Sequence, residues 1–277
     1  MRKKKKRWIV IFLALIFLLF FCYFQNNSIA ITKMTISSRK ISSNMNGYKI
    51  VQLSDLHSKE FGENQGKLVQ KVNKLKPDLI VFTGDLVDSE KYNEEISMRL
   101  MEKLVEIAPT YFVTGNHEWW SGNFHSLESK LNDIGVHVMR NTADVITMGG
   151  SKAYIVGIDD PAQGIDSYEA ITRSAKGLKE EPFKILLAHR PEMFSLYVEN
   201  KFDLVFSGHA HGGQVRMPFV GGLIAPNQGW FPKYTAGKYT SDNTTMIVNR
   251  GLGNSVIPLR IFNRPEIVAV TLRSIDD

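Results

Sequence analysis

Short apolar runs alternate with longer amphipathic segments along most of this chain. The amphipathic segments GKLVQKVNKL and YNEEISMRLMEKLVEIA repeat apolar residues at helical spacing, which predicts helices that end before Pro77 and Pro109. The apolar runs that predict strands are, in order, YKIVQL, DLIVFT, TYFVT, KAYIVGID, FKILLA and FDLVF. A further helix is predicted to begin at Pro191, between the last two runs. Strands that alternate with helices are typical of β-α-β units, so the pattern predicts an α/β fold.

The pattern changes at two places. Residues 25–47 are rich in Ser, Asn and Lys with alternating apolar positions, which fits either a linker or a first edge strand. After Gly212, glycine and proline become frequent, and the runs TTMIVNR and EIVAVTLR predict strands with little helix between them. No internal repeat or break in composition indicates a second unit, so residues 48–277 are predicted to form one domain.

Residues 8–24 form the most apolar stretch of the chain, and they directly follow six consecutive basic residues at positions 2–7. About 17–25 apolar residues suffice to span a bilayer, and an apolar helix beside a basic cluster is typical of a membrane segment. We therefore predict a cytoplasmic basic segment at 1–7 and a transmembrane signal-anchor at 8–24 that contacts membrane lipid. Because positive charge stays inside, the rest of the chain is predicted to lie outside the cytoplasm, as a single-pass protein of the cell membrane.

A cleavable signal peptide has the same order of charged and apolar residues. The small residues Ser28 and Ala30 would suit a peptidase that cuts before Ile31. Cleavage near Ala30 is therefore the alternative, and it would give a secreted or wall-associated protein. The only cysteine, Cys22, lies in the apolar segment, so the remainder has no disulfide and no cysteine ligand or nucleophile.

The net charge of +6 comes from the basic cluster alone. Removing its six residues from the 34 basic residues leaves 28, which balances the 28 acidic residues. A surface that tracks nucleic-acid phosphates is therefore not indicated for the remainder.

Metal-ligand side chains follow five of the predicted strands. In α/β folds the carboxyl ends of the strands converge on one crevice, so these side chains are expected to meet there. They are Asp55, His57, Asp85, Asn116, His189, His209 and His211. If the strand tips stay extended, the pairs Asp55/His57 and His209/His211 each point to one side. Seven ligands are too many for one zinc ion, and two ions bridged by a carboxylate account for them. Mixed oxygen and nitrogen ligation favours Mn²⁺, Fe or Zn²⁺.

The order D-x-H, G-D, G-N-H-E, a lone His and G-H-x-H resembles the signature of calcineurin-like metallophosphoesterases, over residues 48 to about 214. The segments GGLIAPNQGWFPKYTAGKY and NRGLGNSVIPLRIFNRPEI resemble a membrane-anchored bacterial branch of phosphodiesterases and of enzymes similar to UDP-2,3-diacylglucosamine pyrophosphate hydrolases. The resemblance implies two mixed β-sheets packed as a sandwich between helices, with a dinuclear metal site at the carboxyl ends of the strands.

The resemblance also implies a role for each residue. Asp55, His57 and His211 would bind a first ion, Asp85 would bridge, and Asn116, His189 and His209 would bind a second. His117 matches a histidine that faces the substrate, and we expect it to protonate the leaving oxygen as a general acid, with Glu118 as a candidate to orient its ring. In an extended tip His117 would point away from Asn116.

Two positions depart from the family pattern. Ala210 stands where threonine is frequent, and its side chain is expected to point away from the ions. The sequence LVDSE after Asp85 lacks an arginine typical of protein phosphatases, which argues against a phosphoprotein substrate. Trp119, Trp230 and Arg250 are candidates for substrate contacts.

Together these features predict a phosphoesterase in which two metal ions activate a hydroxide that cleaves phosphodiester or pyrophosphate bonds. The predicted substrate is a cell-envelope, lipid-linked or nucleotide-type compound. Two alternatives stay open: a metallo-hydrolase of amide or lactam bonds, which also uses H-x-H pairs, and a catalytically silent, membrane-tethered binding protein.

Overall fold

A computed structural model of the chain describes residues 2–254 and 258–275. The α-helices in these residues are α1 (Arg2–Asn27), α2 (Gly66–Leu75), α3 (Glu94–Val105), α4 (Asn116–Trp120), α5 (Phe124–Asp133), α6 (Ser167–Ser174) and α7 (Phe194–Glu199). The strands, in order along the chain, begin with β1 (Ala30–Ser38), β2 (Lys49–Leu53), β3 (Leu79–Thr83), β4 (Thr110–Val113), β5 (His137–Val138), β6 (Thr142–Met148), β7 (Ser151–Gly157), β8 (Phe183–Leu187) and β9 (Leu204–Ser207).

Four short strands follow in two hairpins, before three longer strands complete the sheets. The hairpin strands are β10 (Arg216–Met217), β11 (Gly221–Gly222), β12 (Ile224–Ala225) and β13 (Gly229–Trp230). The remaining strands are β14 (Gly237–Ser241), β15 (Thr244–Val248) and β16 (Glu266–Ser274). Positions 255–257 of the NRGLGNSVIPLRIFNRPEI segment, like positions 276–277 of the predicted domain, lie outside the described residues.

The predicted α/β fold with two mixed sheets is confirmed. The first sheet has the order β1-β16-β2-β3-β4-β5, in which only β16 and β2 are antiparallel neighbours. The second has the order β14-β15-β9-β8-β7-β6, with antiparallel pairs at both edges and parallel strands between them. Side chains of both sheets, such as Val81 and Ile185, share one buried core, and this core holds the two sheets together as a sandwich.

Helices cover the outer face of each sheet. Leu68 of α2 and Leu100 of α3 pack with Phe82 of the first sheet, whereas Phe194 of α7 packs with Leu186 of the second. The central strands are therefore buried on both faces, which explains why their sequences are continuous apolar runs instead of alternating ones.

Residues 30–38 form an edge strand, so the structure favours a strand over a linker for this part of residues 25–47. β1 pairs in parallel with β16, from Ala30 opposite Glu266 to Ser38 opposite Ser274. Only two residues separate β1 from the end of α1. α1 is longer than the predicted apolar segment because the basic residues before it and Gln25 after it continue the helix. Its Lys3–Asn27 portion is long and apolar enough to span a membrane, with a mean hydropathy of 2.5.

Candidate dinuclear metal centre

The strand ends converge as predicted, but their backbone is not extended. The carboxyl ends of β2, β3, β4, β8 and β9 lead into turns in which five of the predicted ligands adopt positive φ angles. These are Asp55 (52°), His57 (49°), Asp85 (53°), His209 (64°) and His211 (46°). The expectation of extended tips was therefore wrong. His209 and His211 are aimed by left-handed turns, and they enter two different groups of side chains.

Two glycines allow these turns to approach one another. Gly84 has a φ of 84°, and a Cβ atom there would lie 2.6 Å from Nδ1 of His189 and from the amide nitrogen of Gly115. A Cβ atom on Gly115 would overlap the carboxylate of Asp85. The small residue before each ligand in TGD and TGN is therefore required by the close approach of β3 and β4.

A first group of ligand atoms gathers around Asp55, His57, Asp85 and His211. One ligand atom from each lies within 4.8 Å of the others, and all four residues are buried. Nε2 of His57 lies 3.1 Å from Nε2 of His211, which is 3.4 Å from Oδ1 of Asp55.

A second group gathers Asp85, His189 and His209. Nε2 of His189 lies 3.2 Å from Oδ2 of Asp85 and 3.0 Å from Nδ1 of His209. The same Asp85 oxygen lies 3.6 Å from Nε2 of His57, so one carboxylate oxygen adjoins a histidine of each group. Asn116, the first residue of α4, lines the same cavity as Asp85 and His209.

The donor set fits divalent cations. Within the described part of the chain, Oδ2 of Asp55 and Oδ1 of Asn116 are buried acceptors without a hydrogen-bond partner, and buried polar atoms of native proteins are usually partnered. In both groups, two imidazole nitrogens face each other at about hydrogen-bond distance, so only one nitrogen of each pair can carry a proton towards the other. A cation in each group would accept lone pairs from the facing imidazole nitrogens of that group. The Asp and His groups thus form a possible dinuclear site.

Electrostatics favour an ionised carboxylate at the shared position. Burial acts to raise the pKa of Asp85, but the charge and hydrogen bond of His189 and the charge of His57 outweigh burial and hold this pKa well below its usual range. Asp85 therefore stays negative, as a ligand shared by two cations requires.

Other groups fix the orientation of the histidines. Nδ1 of His189 is 2.7 Å from the carbonyl oxygen of Thr83, and Nδ1 of His57 is 3.4 Å from Oδ2 of Asp88. The contact with Thr83 sets the tautomer and ring orientation of His189, and Asp88 places a carboxylate beside the ring of His57. Asp88 was not among the predicted site residues. Its position three residues after Asp85, in the same loop, indicates that it lies near the site.

His117 is the second residue of α4, so it lies in a helix instead of an extended strand tip. Nδ1 of His117 accepts a hydrogen bond from the backbone N–H of Ser89 at 3.0 Å. The proton of the neutral ring is thereby placed on Nε2, which makes this atom a hydrogen-bond donor. Burial lowers the pKa of His117, which keeps the ring neutral. His117 also forms a third, half-buried group with His57 and Asp88.

Glu118 does not orient the His117 ring; it holds the loop that carries Asp85. Its carboxylate accepts hydrogen bonds from the backbone N–H groups of Gly115 (2.6 Å), Asp85 (2.8 Å), Leu86 (2.8 Å) and Val87 (3.2 Å). Burial, followed by the charge of Asp85, raises the pKa of Glu118 to about 7.

The Glu118→Ala variant is expected to unfold more easily by about 2–3 kcal/mol, since it leaves buried N–H groups without an acceptor. Urea unfolding of the detergent-solubilised protein, followed by circular dichroism, measures this difference. Glu102→Ala, at an exposed position of α3, is the matched control. A Glu118→Ala midpoint equal to that of the control would contradict the role of this carboxylate.

A cavity of about 830 Å³ opens above the two groups. Its lining includes His57, Asp85, Asn116, His117, His209 and His211, together with Lys59, Asp88, Trp120 and Arg190.

The three residues predicted to contact substrate do not belong to this lining among the described residues. Trp119 packs on Phe124 and donates from Nε1 to Oγ1 of Thr114 at 3.0 Å. Arg250 pairs with Glu266 at 2.7 Å, and Trp230 is exposed on β13. Trp120 takes the position expected of Trp119 because successive helical side chains point in different directions.

Comparison with known proteins agrees with this geometry. The sequence model of a family described as calcineurin-like phosphoesterase matches residues 48–213. The chain is 35% identical over 257 residues to an uncharacterized metallophosphoesterase, YkuE, of Bacillus subtilis, which covers 91% of this chain and 88% of that protein.

Two further relatives carry more descriptive names. The chain is 31% identical over 232 residues to the phosphodiesterase YaeI of Escherichia coli, with 81% of this chain and 82% of that protein covered. It is 29% identical over 263 residues to a zebrafish (Danio rerio) transmembrane protein with a metallophosphoesterase domain; this match covers 88% of the chain but only 57% of the zebrafish protein.

Proposed function

The chain belongs to the calcineurin-like phosphoesterase family and is a hydrolase of phosphoric esters, and from this premise we propose that it cleaves phosphodiester or pyrophosphate bonds. The proposed substrate is a cell-envelope, lipid-linked or nucleotide-type compound. The name of the Escherichia coli relative, a phosphodiesterase, supports the bond type. The apolar helix α1 supports a substrate at the membrane.

One observation carries the proposal. Oδ2 of Asp85 lies 3.2 Å from a nitrogen of His189 and 3.6 Å from a nitrogen of His57, so it stands between the two groups. We propose that the site holds two divalent ions, of Mn²⁺, Fe or Zn²⁺, and that Asp85 would contribute a ligand to both. In this proposal Asp55, His57 and His211 would hold one ion, and Asn116, His189 and His209 would hold the other.

The chain supplies the remaining chemistry of the reaction. When bound, the two divalent ions would supply a hydroxide near neutral pH and would offset charge on the phosphoryl group. His117 lines the cavity, and its Nε2–H donates a hydrogen bond to a phosphoryl oxygen as negative charge develops there. Arg190 adds positive charge at the cavity wall, where both oxygens of Asp160 hold its guanidinium at 2.7 and 2.9 Å.

Metal removal tests the function directly. The full-length protein in detergent is expected to hydrolyse bis(p-nitrophenyl) phosphate, to lose this activity on treatment with a chelator, and to recover it when two equivalents of Mn²⁺ are added. The corresponding monoester, p-nitrophenyl phosphate, is the comparison substrate. Activity that survives complete metal removal, or a higher kcat/KM for the monoester, would contradict the proposal.

The proposed location is the outer side of the cell membrane, with α1 retained as an anchor. The basic residues at 2–7 support this orientation, because such residues remain in the cytoplasm. Ala30 is the first residue of β1, and its N–H donates to Pro265 O at 2.7 Å. Arg264 donates to the carbonyl oxygen of Ser28 at 2.8 Å. These contacts support an uncleaved chain, since a cut before Ile31 would separate Ala30 from its own strand.

Protease added to intact spheroplasts is expected to digest the domain while an N-terminal tag remains protected. A tag at the C-terminus should disappear at the same rate as the domain. Protection of the whole domain until the membrane is permeabilised would show that the domain lies on the cytoplasmic side, which contradicts the proposed orientation.

A further inference from the structure

Large apolar side chains are exposed in one small region of the domain. Phe219 is fully exposed, and Trp230 and Phe231 are 68% and 63% exposed. We call this set the apolar patch, and its members are Met217, Phe219, Val220, Trp230, Phe231 and Phe262. Soluble proteins rarely leave such a contiguous apolar surface uncovered unless it contacts a partner or a membrane.

Backbone hydrogen bonds bring the members of the apolar patch together. Met217 lies on β10, which pairs with β11, and Phe219 and Val220 form the turn between these two strands. The N–H of Phe231 donates to the carbonyl oxygen of Leu223, just after β11, at 2.9 Å. The N–H of Arg216 donates to the carbonyl oxygen of Ile261 at 2.9 Å, so Phe262 follows directly beside the hairpin.

The three phenylalanines of the apolar patch adopt an unusual backbone conformation. Phe219, Phe231 and Phe262 have φ angles of 66°, 52° and 51°, in the left-handed region that bulky residues rarely occupy. Each is exposed, so no burial of the ring in the core compensates for this conformation. Backbone strain of this kind is concentrated at functional positions.

The apolar patch is continuous with the end of α1. The ring of Phe262 packs edge-on against Phe21 of α1, with 5.5 Å between ring centroids. The guanidinium of Arg264 lies 5.0 Å over the ring of Phe24. The patch therefore adjoins the part of the helix where the chain leaves its apolar segment.

The mouth of the metal cavity lies in the same place. Lys59 and Asn254 line the cavity, and both bond to Asn26 near the end of α1, at 2.6 and 3.0 Å. Pro226 and Asn227 also line the cavity, and they form the turn between β12 and β13, the strand that carries Trp230. One end of the domain thus combines the cavity, the apolar patch and the end of α1.

We propose that the apolar patch inserts into the interfacial layer of the membrane that α1 spans, so that the metal cavity opens at the lipid surface and accepts a phosphoester carried by a lipid. This proposal rests on the proposed function, in which α1 is a membrane anchor. Aromatic side chains are favoured at the membrane interface, where their rings lie at the level of the lipid head groups.

Spin labels test the position of the apolar patch. Full-length protein with Cys22→Ser is placed in nanodiscs, and single cysteines are introduced as Phe219→Cys or Phe231→Cys for labelling. Tyr168→Cys is the matched control, because Tyr168 is an exposed aromatic residue on α6 outside the patch. Power saturation compares collisions with oxygen, which concentrates in lipid, and with a nickel chelate, which remains in water. The oxygen-to-nickel ratio at 219 and 231 is expected to exceed that at 168 several-fold.

Two results would overturn the proposal. A ratio at both patch positions equal to that at 168 would place the patch in water. Shielding from both reagents would mean that a protein or a second copy of the chain covers it. A further label, at Leu15→Cys, tests whether α1 lies in the membrane. If the anchor proposal is wrong, position 15 is exposed to the nickel chelate; if only the patch proposal is wrong, position 15 stays in lipid.

The substrate part of the proposal has its own measurement. A diacylglyceryl p-nitrophenyl phosphate in the nanodisc is compared with soluble bis(p-nitrophenyl) phosphate. Phe219→Ser combined with Phe231→Ser is expected to lower the ratio of lipid-borne to soluble turnover several-fold, whereas Tyr168→Ser keeps it. An unchanged ratio in the double variant would overturn delivery from the lipid surface.

Discussion

Replacing Asp85 with asparagine is expected to lower kcat/KM by more than about 10³-fold. Loss of one hydrogen-bond donor to a transition state already costs about 10²–10³-fold. The Asp85→Asn change is expected to cost more, because it would weaken the binding of both proposed metal ions. The shared oxygen of Asp85 lies 3.2 Å from His189 and 3.6 Å from His57. An amide removes the negative charge from this point. It also presents either an N–H group, which repels a cation, or a weaker neutral oxygen.

Metal content separates this role from simple misfolding. Mass spectrometry of the metals is expected to find two ions per chain in the wild type and fewer in Asp85→Asn, with unchanged circular dichroism. Asp133→Asn, at an exposed position of α5, makes the same chemical change outside the site and should resemble wild type. Two ions per chain in Asp85→Asn would show that Asp85 does not bridge.

The second large effect is expected from His117→Ala, which should lower kcat about 10²–10³-fold, the usual cost of removing one hydrogen-bond donor from a charged transition state. The N–H of Ser89 donates to Nδ1 at 3.0 Å, so the ring acts as a neutral donor through Nε2. A neutral imidazole is a poor source of a full proton. We therefore expect similar losses on alkyl and p-nitrophenyl diesters, whereas the general-acid role predicted from the sequence requires a larger loss on the alkyl diester.

The comparison of leaving groups decides between these roles. A much larger loss on the alkyl ester would restore proton transfer to the leaving oxygen as the role of His117. Metal content should stay at the wild-type value, since His117 lies outside the two groups that share Asp85. Loss of an ion would instead assign His117, with His57 and Asp88, to the metal site. His125→Ala, at an exposed histidine of α5, is the matched control.

The sequence was most informative where composition and spacing decide the structure. The run GKLVQKVNKL forms α2 over its whole length, and FKILLA forms β8 apart from its last residue. The candidate ligands could be predicted because a metal site needs particular side chains at particular strand ends. Six of the seven candidates lie in the two groups that share Asp85, and Asn116 lines the cavity beside them; their binding of metal stays a prediction.

The sequence was least informative about local backbone direction at the site. Asp55 and His209 adopt left-handed backbone conformations that their residue types alone do not predict. Tertiary contacts between the turns impose these conformations. The sequence also favoured Trp119 over Trp120 as a cavity residue, because which of these two successive side chains faces the cavity depends on the orientation of α4. The roles of Asp88 and Glu118 depend on contacts with His57 and the Asp85 loop, which join separate strand ends, so the position of Asp88 shortly after Asp85 does not by itself identify its partner.

The pairing of β1 with β16 constrains the order in which the chain can fold as it is synthesised. β16 lies between β1 and β2, so neither of these strands has its neighbour on that side until residues 266–274 have left the ribosome. If α1 anchors the nascent chain as proposed, two unpaired strand edges stay at the membrane through this interval, which is when edge-to-edge aggregation is most favourable. Ribosome stalling before residue 266 should therefore leave the first sheet open, whereas the strands β6 to β9 of the second sheet can already pair.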